Sequence, residues 1–203
     1  MKAKTHYDYL QEFQSMRLRR DYQDLAVQQQ YTLLANFFFN DLYGPHDFHA
    51  RDSQARRLHQ FIHMAPGLTM RDIEVSLELL DMTTKLDHQL AEVLERMKTP
   101  LPFDEATYEE AYLRADAYEP RVRQIKLIRE ALTRVHRLAQ IPLLGTALAN
   151  SKTLARLAGM RELHAFLRRG YEALKPVRNL EPFLARVDAL EMERLDRIYG
   201  VQK

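Results

Sequence analysis

An all-α bundle is the fold class that this 203-residue sequence predicts, and three observations carry the prediction. Chain breakers are scarce, with six Gly and eight Pro. Strong helix formers, above all Leu, Ala, Arg, Glu and Gln, recur throughout. Apolar side chains return every three to four positions over almost the whole chain, and no segment shows the two-residue alternation of a half-buried strand. No repeat at a fixed period is present. The expected architecture is seven or eight helices in one domain over residues 1–203, with the Pro100 and Pro102 stretch, 98–104, as the point where a subdivision would fall.

Taken in order, Tyr9, Phe13 and Met16 lie on one helical face. Val27, Tyr31, Leu34, Phe38 and Leu42 continue the period, with Leu33 and Phe37 widening the stripe. One long helix, or two in series, should therefore end at Gly44 and Pro45, since Gly suits the left-handed residue past a helix and Pro cannot continue one. A shorter helix is expected from about Asp52 to His63, closed by Pro66 and Gly67. Thr69 is then an N-cap, with Asp72 three residues on to complete a capping box. The helix it opens, to about Met97, carries two apolar stripes, Ile73, Leu77, Leu80, Ala91 and Leu94 against Val75, Leu79, Met82, Leu86, Leu90, Val93 and Met97. A helix apolar around so much of its circumference belongs at the centre of a bundle.

Asp104 caps the next helix, through Tyr108, Ala111, Tyr112 and Ala115, which Pro120 should break or kink. An amphipathic helix follows, with Ile125, Ile128, Leu132 and Val135 on one face and Arg123, Lys126, Glu130, Arg134 and Arg137 on the other. Pro142 and Gly145 interrupt it, and Ser151 caps a short helix to about Leu157. Leu163, Phe166, Leu167, Tyr171 and Leu174 mark another, stopped by Pro176. Asn179 caps a terminal helix that ends at Gly200.

Composition narrows the class of protein. Apolar residues at 46% and charged residues at 29% describe a chain that folds rather than a disordered one. Cysteine is absent, which removes disulfides, thiolate metal sites and cysteine nucleophiles together. The N-terminus has no apolar core behind its basic start, and the longest charge-free runs, Leu25 to Asn40 and Leu138 to Ser151, fall short of the roughly 20 apolar residues of a membrane span. A cytoplasmic protein is the expectation.

Charge is segregated along the chain. Asp72 to Glu119 holds 13 acidic and four basic residues, whereas Arg121 to Arg178 holds 13 basic and three acidic. Side-by-side packing of acidic and basic helices would account for this, as would solvated faces. A polyanion site built from Arg123, Lys126, Arg134 and Arg137 is the sharper alternative. No aromatic residue is interleaved on that face to stack a base and no helix-turn-helix pattern is present, so nucleic acid is not the expected partner. Pairing of two subunits, acidic on basic, is a third way to use the asymmetry.

The chemistry-bearing residues concentrate in one loop, Phe37 to Asp52. His46, Asp47, His49, Arg51 and Asp52 are candidate binding residues there. His59 and His63, four apart on a helix, can share one transition-metal ion, with Asp47 or Asp52 supplying oxygen. The same pair can offer one axial ligand to haem, with Phe37, Phe38, Phe39 and Phe61 as an apolar wall. Asp41, Asp47 and Asp52 have the chemistry of an acid and base, but a capping role for Asp52 is the simpler expectation. On the central helix, Thr84, Asp87 and His88 interrupt an apolar face, with Glu92 four residues beyond. No Glu-x-x-His pair, dinucleotide or phosphate loop, nucleophile elbow or His-Glu-x-x-His is found, and no catalytic residue is assigned.

The run Phe37, Phe38, Asp41, Leu42, Tyr43, Gly44, Pro45, Asp47, Phe48, Arg51 and Asp52 resembles the signature of an uncharacterised bacterial all-helical family, FFxxDLYGPxDFxxRD. The resemblance implies a bacterial, all-helical protein and transfers no catalytic role. The functional expectation is a non-enzymatic interaction or regulatory module that binds a protein partner or a second copy of itself, without a cofactor. The alternative is a metal- or haem-binding protein using His46 to His63, and a third option is an apolar small-molecule pocket between the Phe-rich helix and the central helix.

Overall fold

Ten α-helices and one π-helical turn follow one another, without a strand, among the described residues, which in the computed structural model are 4–42, Gln54, Gly67 and 69–201. Thr5 opens α1, His6–Asp21, through a reciprocal cap: its hydroxyl accepts the Asp8 N–H at 3.1 Å and the Asp8 carboxylate accepts the Thr5 N–H at 2.9 Å. The chain then breaks its helix twice, giving α2, Gln23–Ala26, and α3, Thr32–Phe37. The interruption leaves Val27 and Leu33 outside, while Tyr31, Leu34, Phe37 and Phe38 of the expected stripe are buried and Leu42 packs against their cluster. Val27 is 74% exposed and Met16 55% exposed, and Leu33 also faces out.

A π turn, Phe38–Leu42, follows α3. The widened turn lets three consecutive phenylalanines bury together. Phe37 lies on Phe166, with ring centroids 5.2 Å apart, while Phe38 meets Tyr22 and Phe183 edge-on. The Gly44 and Pro45 stop and the helix expected over 52–63 lie outside the described residues.

Helix α4, Met70–Arg96, is the expected central rod, and Thr69 and Asp72 form its capping box. It is covered on two sides. Val75 packs with Leu127 and Ala131, and Leu90 and Leu94 pack with Leu10, Phe103 and Tyr108. Each of the two leucines is fully buried and contributes about 1.5–3 kcal/mol by leaving water. Helix α5, Glu105–Arg114, is capped by Asp104, whose carboxylate accepts the Thr107 N–H at 2.9 Å.

Helix α6, Tyr118–Ala139, runs alongside α4. Pro120 does not break a helix here: it sits in the first turn of α6, where a missing N–H costs nothing, and the break falls between Arg114 and Tyr118. Beyond it come α7, Leu144–Asn150, α8, Lys152–Leu157, α9, Arg161–Leu174, and α10, Glu181–Tyr199. The N-cap of α10 is Leu180, one residue later than the expected Asn179, which sits just before it and accepts the Glu181 N–H at 3.1 Å; Gly200 closes the helix at φ +66°. Seven of these helices span seven residues or more among the described residues, and α2, α3 and α8 are the short remainder.

The largest apolar cluster joins Tyr22, Leu25, Tyr31, Leu34 and Phe38 to Ile128, Leu132, Leu174, Phe183 and Val187. Residues from both sides of the 98–104 stretch contribute to every cluster. The fold also accounts for the charge segregation. Acidic α4 lies against basic α6, where Arg123 pairs with Glu78, Arg71 with Glu130 at 3.5 Å, and Asp72 accepts from Arg137 at 2.8 Å and Arg134 at 3.3 Å.

Candidate functional site

Five helices, α1, α4, α5, α6 and α10, each put polar side chains into one buried centre. The spacing explains how: Gln14 and Arg17, Arg121 and Gln124, and Glu191 and Arg194 are pairs three apart, and Tyr108 and Tyr112 are four apart, so each pair shares a helix face. Together with Asp87 they line a cavity of ≈ 50 Å³, closed on its apolar side by Leu18, Phe38, Ile125, Ile128, Val187 and Leu195.

The hydrogen bonding inside is largely complete. Arg17 grips Glu191 with both terminal nitrogens, at 2.9 and 3.2 Å, and the Tyr22 hydroxyl donates to the same carboxylate at 2.7 Å. Arg121 donates to Gln124 at 3.0 Å and to the Leu86 carbonyl at 3.2 Å, and its guanidinium lies 4.7 Å from the Tyr112 ring centroid. Asp87 accepts from Gln14 at 3.2 Å, while Arg121 stays 3.7 Å away. Among the described residues one buried side-chain atom lacks a partner, the Nε–H of Arg17.

Burial and pairing set the protonation of this centre. Burial raises the Asp87 carboxyl, and Arg121 and Gln14 offset that only in part. Burial also acts to raise Glu191, but the charge and hydrogen bonds of Arg17, with Tyr22, outweigh it and hold the group below the usual carboxylate range. Burial opposes the charge of Arg17, and Glu191 reverses the balance. The buried phenols of Tyr108 and Tyr112 are both pushed up.

A second feature lies at the surface. No Asp or Glu occurs between Glu130 and Glu162, and this stretch contains α7, which buries no residue, and α8. Leu143, before α7, holds a left-handed φ of +69° with its side chain 75% exposed, and Leu157, at the end of α8, is 77% exposed. The tip is fixed rather than loose. A Cβ on Gly145 would stand 2.6 Å from the Tyr171 hydroxyl, so glycine is what lets α7 rest on that ring. His164 Nε2 and the Leu148 carbonyl are 2.7 Å apart, and the Ser151 hydroxyl donates to the same carbonyl at 3.1 Å. Lys152 and Arg156 beside it make no ion pair among the described residues.

The residues singled out in the sequence fare differently. His46, Asp47, His49, Arg51, Asp52, His59, Phe61 and His63 lie outside the described residues. Asp41 is bound to Arg169 at 2.7 Å. Of the polyanion set, Arg123, Arg134 and Arg137 are engaged by Glu78, Glu130 and Asp72, and Lys126 is exposed. His88 is exposed and stacks on Tyr7 at 4.4 Å, whereas its neighbour Asp87 turns inward. No group of three or more His, Asp or Glu among the described residues is placed to hold a metal ion. No described helix is long and apolar enough to cross a membrane.

Missed in the sequence were Gln14, Arg17, Arg121 and Glu191. The signal available was their position within apolar stripes, Gln14 and Arg17 among Leu10, Phe13 and Leu18, and Glu191 between Leu190 and Leu195.

The described residues define an all-helical protein with a buried ionic core. The chain belongs to the family described as Domain of unknown function (DUF8198), whose model matches residues 1–203. Comparison with curated proteins and with solved structures finds no match.

Proposed function

We propose that the protein is a helical interaction module that associates with a second copy of itself, the α7–α8 tip of one copy seating on the acidic face of the next. The observation that carries this reading is Leu143, a large apolar side chain held in water on a backbone conformation that costs a non-glycine residue about 1–2 kcal/mol. A residue chosen only for the turn would be Gly or Asn. Leucine there supplies an anchor for a partner, and α8, the next helix, adds exposed Leu157, Lys152 and Arg156 as apolar and basic surface.

The complementary surface is on the same chain. Leu113, half-exposed on α5, sits in sequence among Glu110, Asp116 and Glu119, all exposed. Acidic and basic patches at different places on one chain favour a head-to-tail contact over a two-fold one, because two basic tips repel.

Multi-angle light scattering tests the reading. In low salt the mass should rise with concentration above the 24.0 kDa of one chain, and at about 0.5 M salt, where the screening length is a few ångströms, it should return to that value. Lys152→Glu with Arg156→Glu should give 24.0 kDa in both. A wild-type mass of one chain at every concentration and salt would overturn it, as would retention of the tip on anionic vesicles without self-association.

A further inference from the structure

The buried centre supports an inference independent of self-association. Each of its arginines is already paired with a carboxylate: Arg17 with Glu191 at 2.9 Å, Arg121 with Asp87 at 3.7 Å, and Arg194 with Asp21 and with Glu105 at 2.6 Å. A charged guest would find no free counter-charge where charge is poorly solvated, so the guest is neutral. Its hydrogen-bonding character can also be read from the walls. The Nε–H of Arg17, on a side chain nine-tenths buried, needs an acceptor. Asp87 accepts from Gln14 at 3.2 Å and pairs with Arg121 at 3.7 Å, and a carboxylate, with about four acceptor sites, still has room for a further donor.

Size completes the description. About 10–15 Å³ suffices for one water, whereas a cavity of about 150 Å³ is needed for benzene, so a space of ≈ 50 Å³ takes a guest of very few non-hydrogen atoms. Facing the polar wall, Phe38, Ile128 and Val187 tolerate a methyl or methylene group.

We propose that the chamber binds a small neutral hydroxyl group, of water or a short alcohol, which accepts from Arg17 Nε–H and donates to Asp87. Bundles commonly build ligand sites from side chains on facing helices, and the five-helix convergence here has that form.

The test is the Arg17 Hε resonance of the full chain. Wild type should show a rotating-frame cross-peak from Hε to a bound hydroxyl or water. Loss of the water cross-peak on titration with methanol or ethylene glycol, with a saturable shift at Hε, assigns the site to an alcohol; its persistence assigns the site to water. Val187→Leu, which fills the chamber from its apolar wall, should abolish the cross-peak while the far-ultraviolet helical spectrum is kept. Absence of the cross-peak in wild type, its survival in Val187→Leu, or saturable shifts with formate or ammonium in place of the neutral probes would overturn the proposal.

Discussion

Leu143→Asn separates what the tip costs the fold from what it does for a partner. Asparagine occupies the left-handed region more readily than leucine because its short polar side chain bonds locally, so most of the roughly 1–2 kcal/mol of strain at φ +69° is relieved. Against this stands lost burial. Leu143 is 75% exposed, so about a quarter of the about 2 kcal/mol of a fully buried leucine is forfeited, about 0.5 kcal/mol. The net is a gain of about 0.5–1.5 kcal/mol, or a Tm higher by about 1–6 °C for a chain of this length. Scanning calorimetry in high salt, where wild type and variant are both single chains, measures it. In low salt the same variant should fail to associate. A Tm lowered by more than about 2 °C would refute the reasoning, since it would mean that Leu143 packs within its own fold.

Other expectations follow from the ionic interior and the caps. Arg17→Met strands the buried Glu191 carboxylate and should cost about 3–5 kcal/mol, much of it recovered in Arg17→Met with Glu191→Leu; a double variant no better than the single one in urea denaturation would contradict this. Thr69→Ala removes the hydroxyl of the α4 capping box and should cost about 1 kcal/mol by the same assay, and no change in midpoint would deny the cap its role. Hydrogen bonds from Arg20, joined by Arg194, overcome partial burial and hold Glu105 at about 2. A depressed carboxyl stabilises the fold above its unfolded value and loses that contribution as pH falls through the folded one. The Tm difference between wild type and Glu105→Gln should therefore be constant above about pH 5 and close towards pH 2, and a difference independent of pH would be inconsistent with the pairing.

Helix positions were legible where local chemistry decides them. Thr69 with Asp72, Asp104, and Gly200 are end signals that work through neighbouring backbone groups, and each ends or begins its helix where the sequence places it. The apolar stripes of α4 were equally clear, because burial on two sides leaves a pattern that a one-sided helix lacks. Periodicity failed at Val27 and Leu33, beside turns that no Gly or Pro announces, while Tyr31, Leu34 and Phe38 of the same stripe are buried as expected. Pro120 misled because a proline in a first turn and a proline that ends a helix look alike before the helix boundary is known.

The buried centre was legible only at Asp87. Arg17 and Glu191 are 174 positions apart, and neither residue type signals burial; only the meeting of α1 and α10 makes them partners. The same holds for the tip. Pro142 and Gly145 predict an interruption, but nothing local tells that Leu143, rather than the glycine, takes the positive φ and faces water. Charge segregation was visible, and its first consequence, acidic α4 on basic α6, is a packing arrangement that engages all three candidate polyanion arginines within the chain.

Mixing two charge-reversed variants tests the head-to-tail account most directly. One carries Lys152→Glu and Arg156→Glu on the tip, the other Glu110→Lys and Asp116→Lys on the acidic face. Each alone should sediment in low salt as a single 24.0 kDa chain, and the mixture should associate, because the native basic tip of the second meets the native acidic face of the first, and the reversed tip of the first matches the reversed face of the second. A mixture that sediments as single chains, beside a wild type that associates, would place the contact elsewhere and contradict the account.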